Sequence, residues 1–537
     1  MSESKTDKKK EKKSLITYEP ELRLDILKGF GADLDISTRE NLLFINRALI
    51  YPIGKHLIIR DILTSGGNLK NDIMFIYLDD DIENVTCLNS SFDNYLLLVS
   101  NEYKNKSGID IYNLAKISFS SYTIYKPRRR ILSSEFKKFI YASFSNDGNL
   151  ICAIGKNENG NLKGVIYDIQ SYKKFVIDNY PPKSYFELPS NVTKITFYNN
   201  KLLCTSGLNH LSFWFIFENT CKEYKSTVNL SKNYVDHIWL YDLKIPTLIS
   251  LTEDNDIIIF HAIYEKNKIN KSEEENQIIS RFTIKQTLTN IFQFEENIEK
   301  KRKNYKDIIN EEPIKSVRIQ KFNLGLVVGS NKGNILFIEK NQNNDFIPLR
   351  YTMREKESCV TGITFSSFNE DTLAISFQSN EIAYLSMNNL FENLRNEKFE
   401  IEFNIICDGF HNGPITTMDV ALQRPIIITT SRYDKTVRVW NYLTGHCEYC
   451  KIILEEKENN EEKELNILSV AIHPNGYYIA ISDMEMIRFF HLCYKELRFY
   501  NNDQIGNEPN KSNCTFLKFS YGGHLLAALS EKKNIFN

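Results

Sequence analysis

Three side chains in the last fifth of the chain have the types that bind metals or run redox chemistry. His446 precedes Cys447, and Cys450 follows at C-x-x-C spacing. A structural zinc ion needs four ligands, and no second cysteine pair lies at finger-like spacing to supply them. The motif also sits just after Trp440-Asn441-Tyr442-Leu443-Thr444-Gly445, where one strand turns into the next. Neither metal nor redox chemistry is expected there. No glycine-rich phosphate loop with its lysine, no G-x-S-x-G elbow and no His-Glu-x-x-His helix motif occurs in the chain. The sequence therefore assigns no catalytic residue, no cofactor and no metal, and the chain is expected not to be an enzyme.

A second constellation carries hydrogen bonds instead. His411-Asn412-Gly413-Pro414 opens a segment that reaches Asp434 in a turn and Trp440 at the end of a strand. A buried imidazole and a buried indole N–H must both find partners. This pattern resembles the WD repeat, and the resemblance implies that His411, Asp434 and Trp440 share a structural network locking one strand pair to the next. A family serine usually stands two residues before the aspartate. Here that position is Arg432, and Ser431 is displaced by one, which leaves the fourth member of the network open.

The elements that must position these residues recur along the whole chain. A short strand ends in a bulky residue, a polar turn follows, and a second strand resumes with an apolar pair. Phe144-Ser145-Asn146-Asp147-Gly148 leads into Leu150–Ile154, Ile472-His473-Pro474-Asn475-Gly476 into Tyr478–Ser482, and Phe519-Ser520-Tyr521-Gly522-Gly523 into Leu525–Leu529. Asp-Gly, Asn-Gly and Gly-Gly permit the positive φ of tight hairpins. The middle of the second strand falls at Leu97, Cys152, Leu203, Ile249, Val327, Ala374, Ile427, Ala480 and Ala527, with neighbours 46–55 residues apart except for 78 between Ile249 and Val327. Blades of WD-type propellers run to about 40–45 residues, and longer with inserted loops. A further unit is readable at Leu42–Ile62, and most units continue into a third strand bearing an aromatic, such as Tyr112, Tyr167, Phe260 or Tyr384.

Ten units predict an all-β, WD40-type β-propeller: one complete seven-bladed ring plus the first blades of a second. The expected division is a disordered basic tail over 1–23, a first propeller over 24–400 and a partial second propeller over 401–537. The wide spacing implies an insert at about 265–312 with a charged run from Glu295 to Lys306. Three blades cannot close a ring. The last unit is therefore expected to belong to a truncated chain or to be completed by another one.

Composition bounds the partners. Lys and Arg number 67 against 68 Asp and Glu, so a net charge of −1 offers no global field for nucleic acid or membrane. No stretch approaches the roughly 18–20 apolar residues of a membrane span, and the charged opening Met1–Lys13 lacks a signal-peptide core. The ten cysteines are scattered, as expected for a reduced, cytoplasmic protein. Protein partners remain. The basic tail (Lys5, Lys8, Lys9, Lys10, Lys12, Lys13) reads as a solvating arm, with an electrostatic tether or a nuclear signal as the alternatives.

The order of segments adds a closer resemblance. Gly29-Phe30-Gly31-Ala32, Asn41–His56, His411–Thr416, Arg424–Thr429, Asp434–Thr444, Leu468–Gly476 and Cys514–Ala528 follow one another in a way that resembles the cilia- and flagella-associated protein 57 family, N-terminal half, over about residues 28–530. The resemblance implies two WD propellers followed by a coiled coil, and a non-catalytic axonemal scaffold that helps position inner dynein arms on doublet microtubules. Its implied partners are inner dynein arm and regulatory-complex subunits, with tubulin a further option. A general cytoplasmic or nuclear WD-repeat adaptor is the alternative.

Overall fold

A computed structural model describes residues 40–536 except 46–47, 54–55, 63–72, 104–105, 116–125, 171–175, 179–180, 218–219, 225–230, 244, 265–278, 293–312, 353–357, 367–369, 389, 391–400, 402, 412, 453, 457–461, 465, 484–485, 494–495, 505–513 and 531–534. The basic tail and the charged run Glu295–Lys306 lie outside the described residues.

Among the described residues ten sheets succeed one another, over 43–77, 82–133, 138–188, 192–224, 234–288, 316–352, 360–407, 417–452, 469–504 and 514–536. Within each sheet successive strands pair antiparallel, the first three joined in most sheets by short turns. Two additions stand outside this pattern. Val176–Asp178 joins the edge of the second sheet in parallel, beside Arg130–Leu132. Leu454–Glu456 pairs with Glu462–Glu464 as a separate two-stranded hairpin.

The turns explain how the first hairpin of each unit is set. Ser145 N donates to Leu150 O at 2.9 Å and Gly148 N to Ser145 O at 2.9 Å. The same two bonds recur at Ser91/Leu96, His473/Tyr478 and Ser520/Leu525. The fourth turn position has positive φ in every case: Asn94 (57°), Gly148 (68°), Gly476 (76°) and Gly523 (74°). Glycine or asparagine is needed there for that reason.

The second strands of the first seven sheets are covered on both faces along most of their length. Leu202–Gly207, Thr247–Thr252, Gly325–Ser330 and Thr372–Phe377 are buried at every residue. Fourth strands carry polar, exposed positions, as in Thr220–Tyr224. A sheet with two apolar faces must be sandwiched, and successive sheets do this for each other. Separate apolar clusters fill the interfaces from first/second to sixth/seventh. A further cluster joins the seventh back to the first, packing Ala374, Ile382 and Ile406 on Leu42, Phe44, Leu49 and Tyr51.

The first strands of these seven sheets touch in an unbroken cycle. Side chains staple the same joints. Thr364 Oγ1 accepts from Phe44 N at 3.2 Å, Arg60 donates to Ile406 O at 2.8 Å, and Arg318 Nε donates to Thr361 O at 2.8 Å. Each such bond contributes about 1 kcal/mol, whereas one buried Ile or Leu contributes about 1.5–3 kcal/mol. Packing therefore closes the ring, and the staples set its register. The eighth, ninth and tenth sheets stack in a row with two interfaces among the described residues.

Two sequence expectations change. Asn404–Cys407, expected to open the second group, pairs with Ile382–Tyr384 and completes the seventh sheet. Within the expected insert, Ile279–Leu288 is the fourth strand of the fifth sheet, pairing with Ile257–Tyr264 along its length. Its register is interrupted twice, which hides the alternation from a pattern search.

Candidate functional site

Because the first strands line the axis, both of their ends and the space between them form the natural site of the ring. At their carboxyl ends lies a cavity of about 400 Å³ with walls from all seven sheets. Leu43, Asn89, Phe144, Phe197, Tyr241, Lys321 and Phe365 each represent one sheet in its lining. Its polar groups are engaged with neighbouring sheets. Asn89 accepts from Phe144 N at 3.3 Å, Asn146 donates to Tyr198 O at 2.6 Å, and Tyr241 OH donates to Phe197 O at 2.7 Å. Phe92 of the second sheet meets Tyr241 of the fifth edge-on across the mouth, with centroids 5.6 Å apart.

Deeper on the axis is an ionic hub that sequence reasoning missed. Lys194 Nζ lies 2.6 Å from Glu40 Oε1 and 2.8 Å from Asp236 Oδ1. Tyr141 OH donates to the same Glu40 oxygen at 2.9 Å, and Asp236 accepts from His237 N and Ile319 N at 2.9 and 3.0 Å. Burial alone would raise the Asp236 carboxyl, but the charges of Lys194 and Arg318 outweigh it and hold Asp236 low. Burial opposes the charge on Lys194, and the two carboxylates reverse that and raise its pKa. Both acids of the hub are paired with Lys194, and Glu40 also reaches the lining of the axial cavity. Beside it His237 is fully buried between Thr196 Oγ1 (2.7 Å) and Ser206 Oγ (2.6 Å). Burial first, and Lys194 second, push its pKa down to about 3, so it stays neutral.

The sequence-predicted trio lies in the eighth sheet, and the structure brings all three together. His411 Nδ1 is 3.1 Å from Asp434 Oδ2, and His411 Nε2 is 2.8 Å from Thr429 Oγ1. Trp440 Nε1 donates to that same Thr429 oxygen at 2.8 Å. A carboxylate can only accept, so Nδ1–H points to Asp434, and the Thr429 oxygen, with two acceptor sites, takes the indole proton whichever way its own hydroxyl proton points. The fourth member is Thr429 of the second strand, not Ser431, whose hydroxyl accepts from Tyr433 N. A partial counterpart, which the sequence reading also passed over, occupies the fourth sheet. There Trp214 Nε1 donates to Thr205 Oγ1 at 2.9 Å, and Thr205 Oγ1 is 2.9 Å from His210 Nε2. A threonine two residues beyond the strand position paired with a tryptophan was the available signal in both cases (Thr205 after Leu203/Trp214; Thr429 after Ile427/Trp440).

His446, Cys447 and Cys450 occupy the outer strand of the eighth sheet. His446 Nδ1 is 2.9 Å from Asp408 Oδ2, and the Cys447 thiol donates to Tyr449 O at 3.2 Å. Burial chiefly pushes Cys447 up to about 12, which keeps it a thiol. Among the described residues no group of three or more His, Cys, Asp or Glu could hold a metal ion.

The repeated sheets, the His–Asp–Thr–Trp lock and the inter-sheet packing define a WD-repeat β-propeller protein. The family described as WD domain, G-beta repeat matches residues 407–441, the segment that carries the lock. Comparison with curated proteins then extends the likeness along the chain. The mouse (Mus musculus) cilia- and flagella-associated protein 57 is 21% identical over 507 residues, covering 91% of this chain and 37% of the relative. Cilia- and flagella-associated protein 57 A of Tetrahymena thermophila is 28% identical over 214 residues, covering 39% of this chain and 15% of the relative. The resemblance to the cilia- and flagella-associated protein 57 family therefore holds over most of the chain, which spans little more than a third of the mouse protein's length. Among solved structures, that of Saccharomyces cerevisiae Sqt1 aligns over 76% of this chain and 95% of its own, with a TM-score of 0.41 and 11% identity.

Proposed function

We propose that the chain is a non-catalytic scaffold of the motile cilium, held on the axoneme, that helps to position inner dynein arms on doublet microtubules. The observation that carries this reading is the likeness, over 91% of the chain, to a protein named for its association with cilia and flagella. The site chemistry favours binding over turnover. The ionisable groups of the axial hub, Glu40, Lys194 and Asp236, are taken up in ion pairs with one another, and the histidines His237 and His411 are taken up in hydrogen bonds within the fold. In this reading the sheets up to Cys407 form one seven-bladed propeller, and those from about His411 are the first blades of a second. The partners are inner dynein arm and regulatory-complex subunits, with tubulin as a further contact.

The test is tagging the chain in a ciliated cell and deleting its gene. Axonemal signal that resists detergent extraction, with altered beating after deletion, is expected. Signal confined to cytoplasm or nucleus, with normal beating, would instead indicate a general WD-repeat adaptor.

A further inference from the structure

At the other end of the axis, where the first strands begin, a second recess of about 300 Å³ opens. Leu208, Val235, Val317 and Val360, from the fourth to the seventh sheets, give it an apolar wall. Leu208 is 49% exposed at its rim. Arg318 is the one cationic side chain in the lining. Its guanidinium is fixed on one side only, with Nε donating to Thr361 O at 2.8 Å and Nη1 to Val317 O at 3.4 Å.

No described carboxylate stands within ion-pair distance of Arg318. Asp236 senses its charge, but Asp236 already gives one oxygen to Lys194 and the other to Ile319 N. A half-buried guanidinium has five N–H donors, and two carbonyls leave most of them unmet. None of its remaining donors is sealed away from solvent, so an incoming carboxylate can meet them through paired, charge-assisted hydrogen bonds. The aliphatic walls would at the same time accept an apolar side chain.

We propose that this recess docks a peptide segment of a partner protein that presents a carboxylate beside an aliphatic side chain, with Arg318 as the anion anchor. The proposal deepens the scaffold reading by giving the chemistry of one partner, and it rests on that reading only for the partner being a protein.

The test titrates three short fluorescent peptides onto the full chain by anisotropy. In the first, capped at both ends, one glutamate lies between two leucines; in the second, glutamine replaces it. The third keeps the leucines, with a free terminal carboxylate as its only acid. Binding of the first or the third, with the glutamine peptide about tenfold or more weaker, is expected. Whichever acid binds identifies the source of the carboxylate. Arg318→Gln should abolish the preference, and Leu208→Glu, a surface change that places a competing carboxylate at the rim, should weaken binding by a similar factor. Lys163→Gln, a surface change in the third sheet outside both cavities, should leave it unchanged. Failure of both acidic peptides to bind, or equal binding by wild type and Leu208→Glu, overturns the proposal. Neither result bears on where the chain sits in the cell, so the two readings fail separately.

Discussion

Glu40 Oε1 and Lys194 Nζ stand 2.6 Å apart although 154 residues separate them in the chain. In a cycle of seven sheets the first and fourth face each other across the axis, so this bond spans the ring rather than one joint. With Asp236 it forms a triad whose central lysine is 8% exposed, whose aspartate is 3% exposed and whose glutamate is 29% exposed.

Removing the cation leaves both carboxylates without their ion-pair partner, with Arg318 acting on Asp236 only at a distance. Breaking a buried pair in this way costs about 3–5 kcal/mol. Lys194→Met is therefore expected to lower the urea midpoint of the chain by a corresponding amount, while Lys163→Met, a surface pair with Glu135, should change it by less than about 1 kcal/mol. Equal midpoints for the two variants would show that the hub is not holding the ring together.

His237 makes the ring sensitive to acid in a predictable direction. Its folded pKa is depressed from 6.5 to about 3, first by burial. A depressed pKa means that the unfolded chain binds the proton first. Stability is then full above pH 6.5 and declines as pH falls toward about 3. At pH 4 the deficit from this one group is on the order of 3 kcal/mol. Asp236, also held low, adds a loss at still lower pH, as pH falls below its ordinary 3.8. His237→Gln should flatten the urea midpoint between pH 7 and pH 4. A wild-type midpoint that does not move over that range would contradict a buried neutral imidazole.

Thr429 is the shared partner of His411 and Trp440, so its hydroxyl holds two buried nitrogens at once. Thr429→Val keeps the shape and removes that oxygen from both, at about 1–3 kcal/mol for each hydrogen bond lost in the interior. Thr429→Ser keeps the oxygen and is expected to lie within about 1 kcal/mol of wild type. The indole N–H resonance of Trp440 gives a local readout. It should move and exchange faster in Thr429→Val while those of Trp214 and Trp239 stay in place. Unchanged exchange at Trp440 would place the lock elsewhere.

Much of this fold is legible in the sequence because the second strands announce themselves. Leu97, Leu203, Val327, Ala374 and Ile427 sit opposite Tyr112, Trp214, Phe337, Tyr384 and Trp440 in the paired strands, so one apolar marker fixes two strands of each sheet. Fourth strands are harder. Ile279–Leu288 is half exposed and twice out of register, so it carries neither a continuous apolar run nor a clean alternation. The lock was readable as His411, Asp434 and Trp440, yet Thr429 looked like any strand threonine until its partners were in place. The axial hub was not readable at all. Glu40, Lys194 and Asp236 are ordinary charged residues in three separate units, and only closure of the ring brings them together.

Two glycines separate the two reasons a glycine can be required. Gly148 has φ +68° with open space where a Cβ would lie, so only its backbone conformation resists substitution. The equivalent turn position in the second sheet is already asparagine, Asn94, at φ 57°. Gly148→Asn is therefore expected to be nearly neutral and Gly148→Ala to cost about 1–2 kcal/mol. Gly325 has no positive φ, but a Cβ there would lie 1.9 Å from Ile338 O, a backbone atom of the paired strand. Asparagine offers no relief in that case, because the clash is steric and not conformational. Both Gly325→Ala and Gly325→Asn should force the second and third strands of the sixth sheet apart and cost about 3 kcal/mol or more. Thermal melts of the four variants give the ranking. Rescue of Gly325 by asparagine, or failure of asparagine at Gly148, would reverse the assignment of cause at that position.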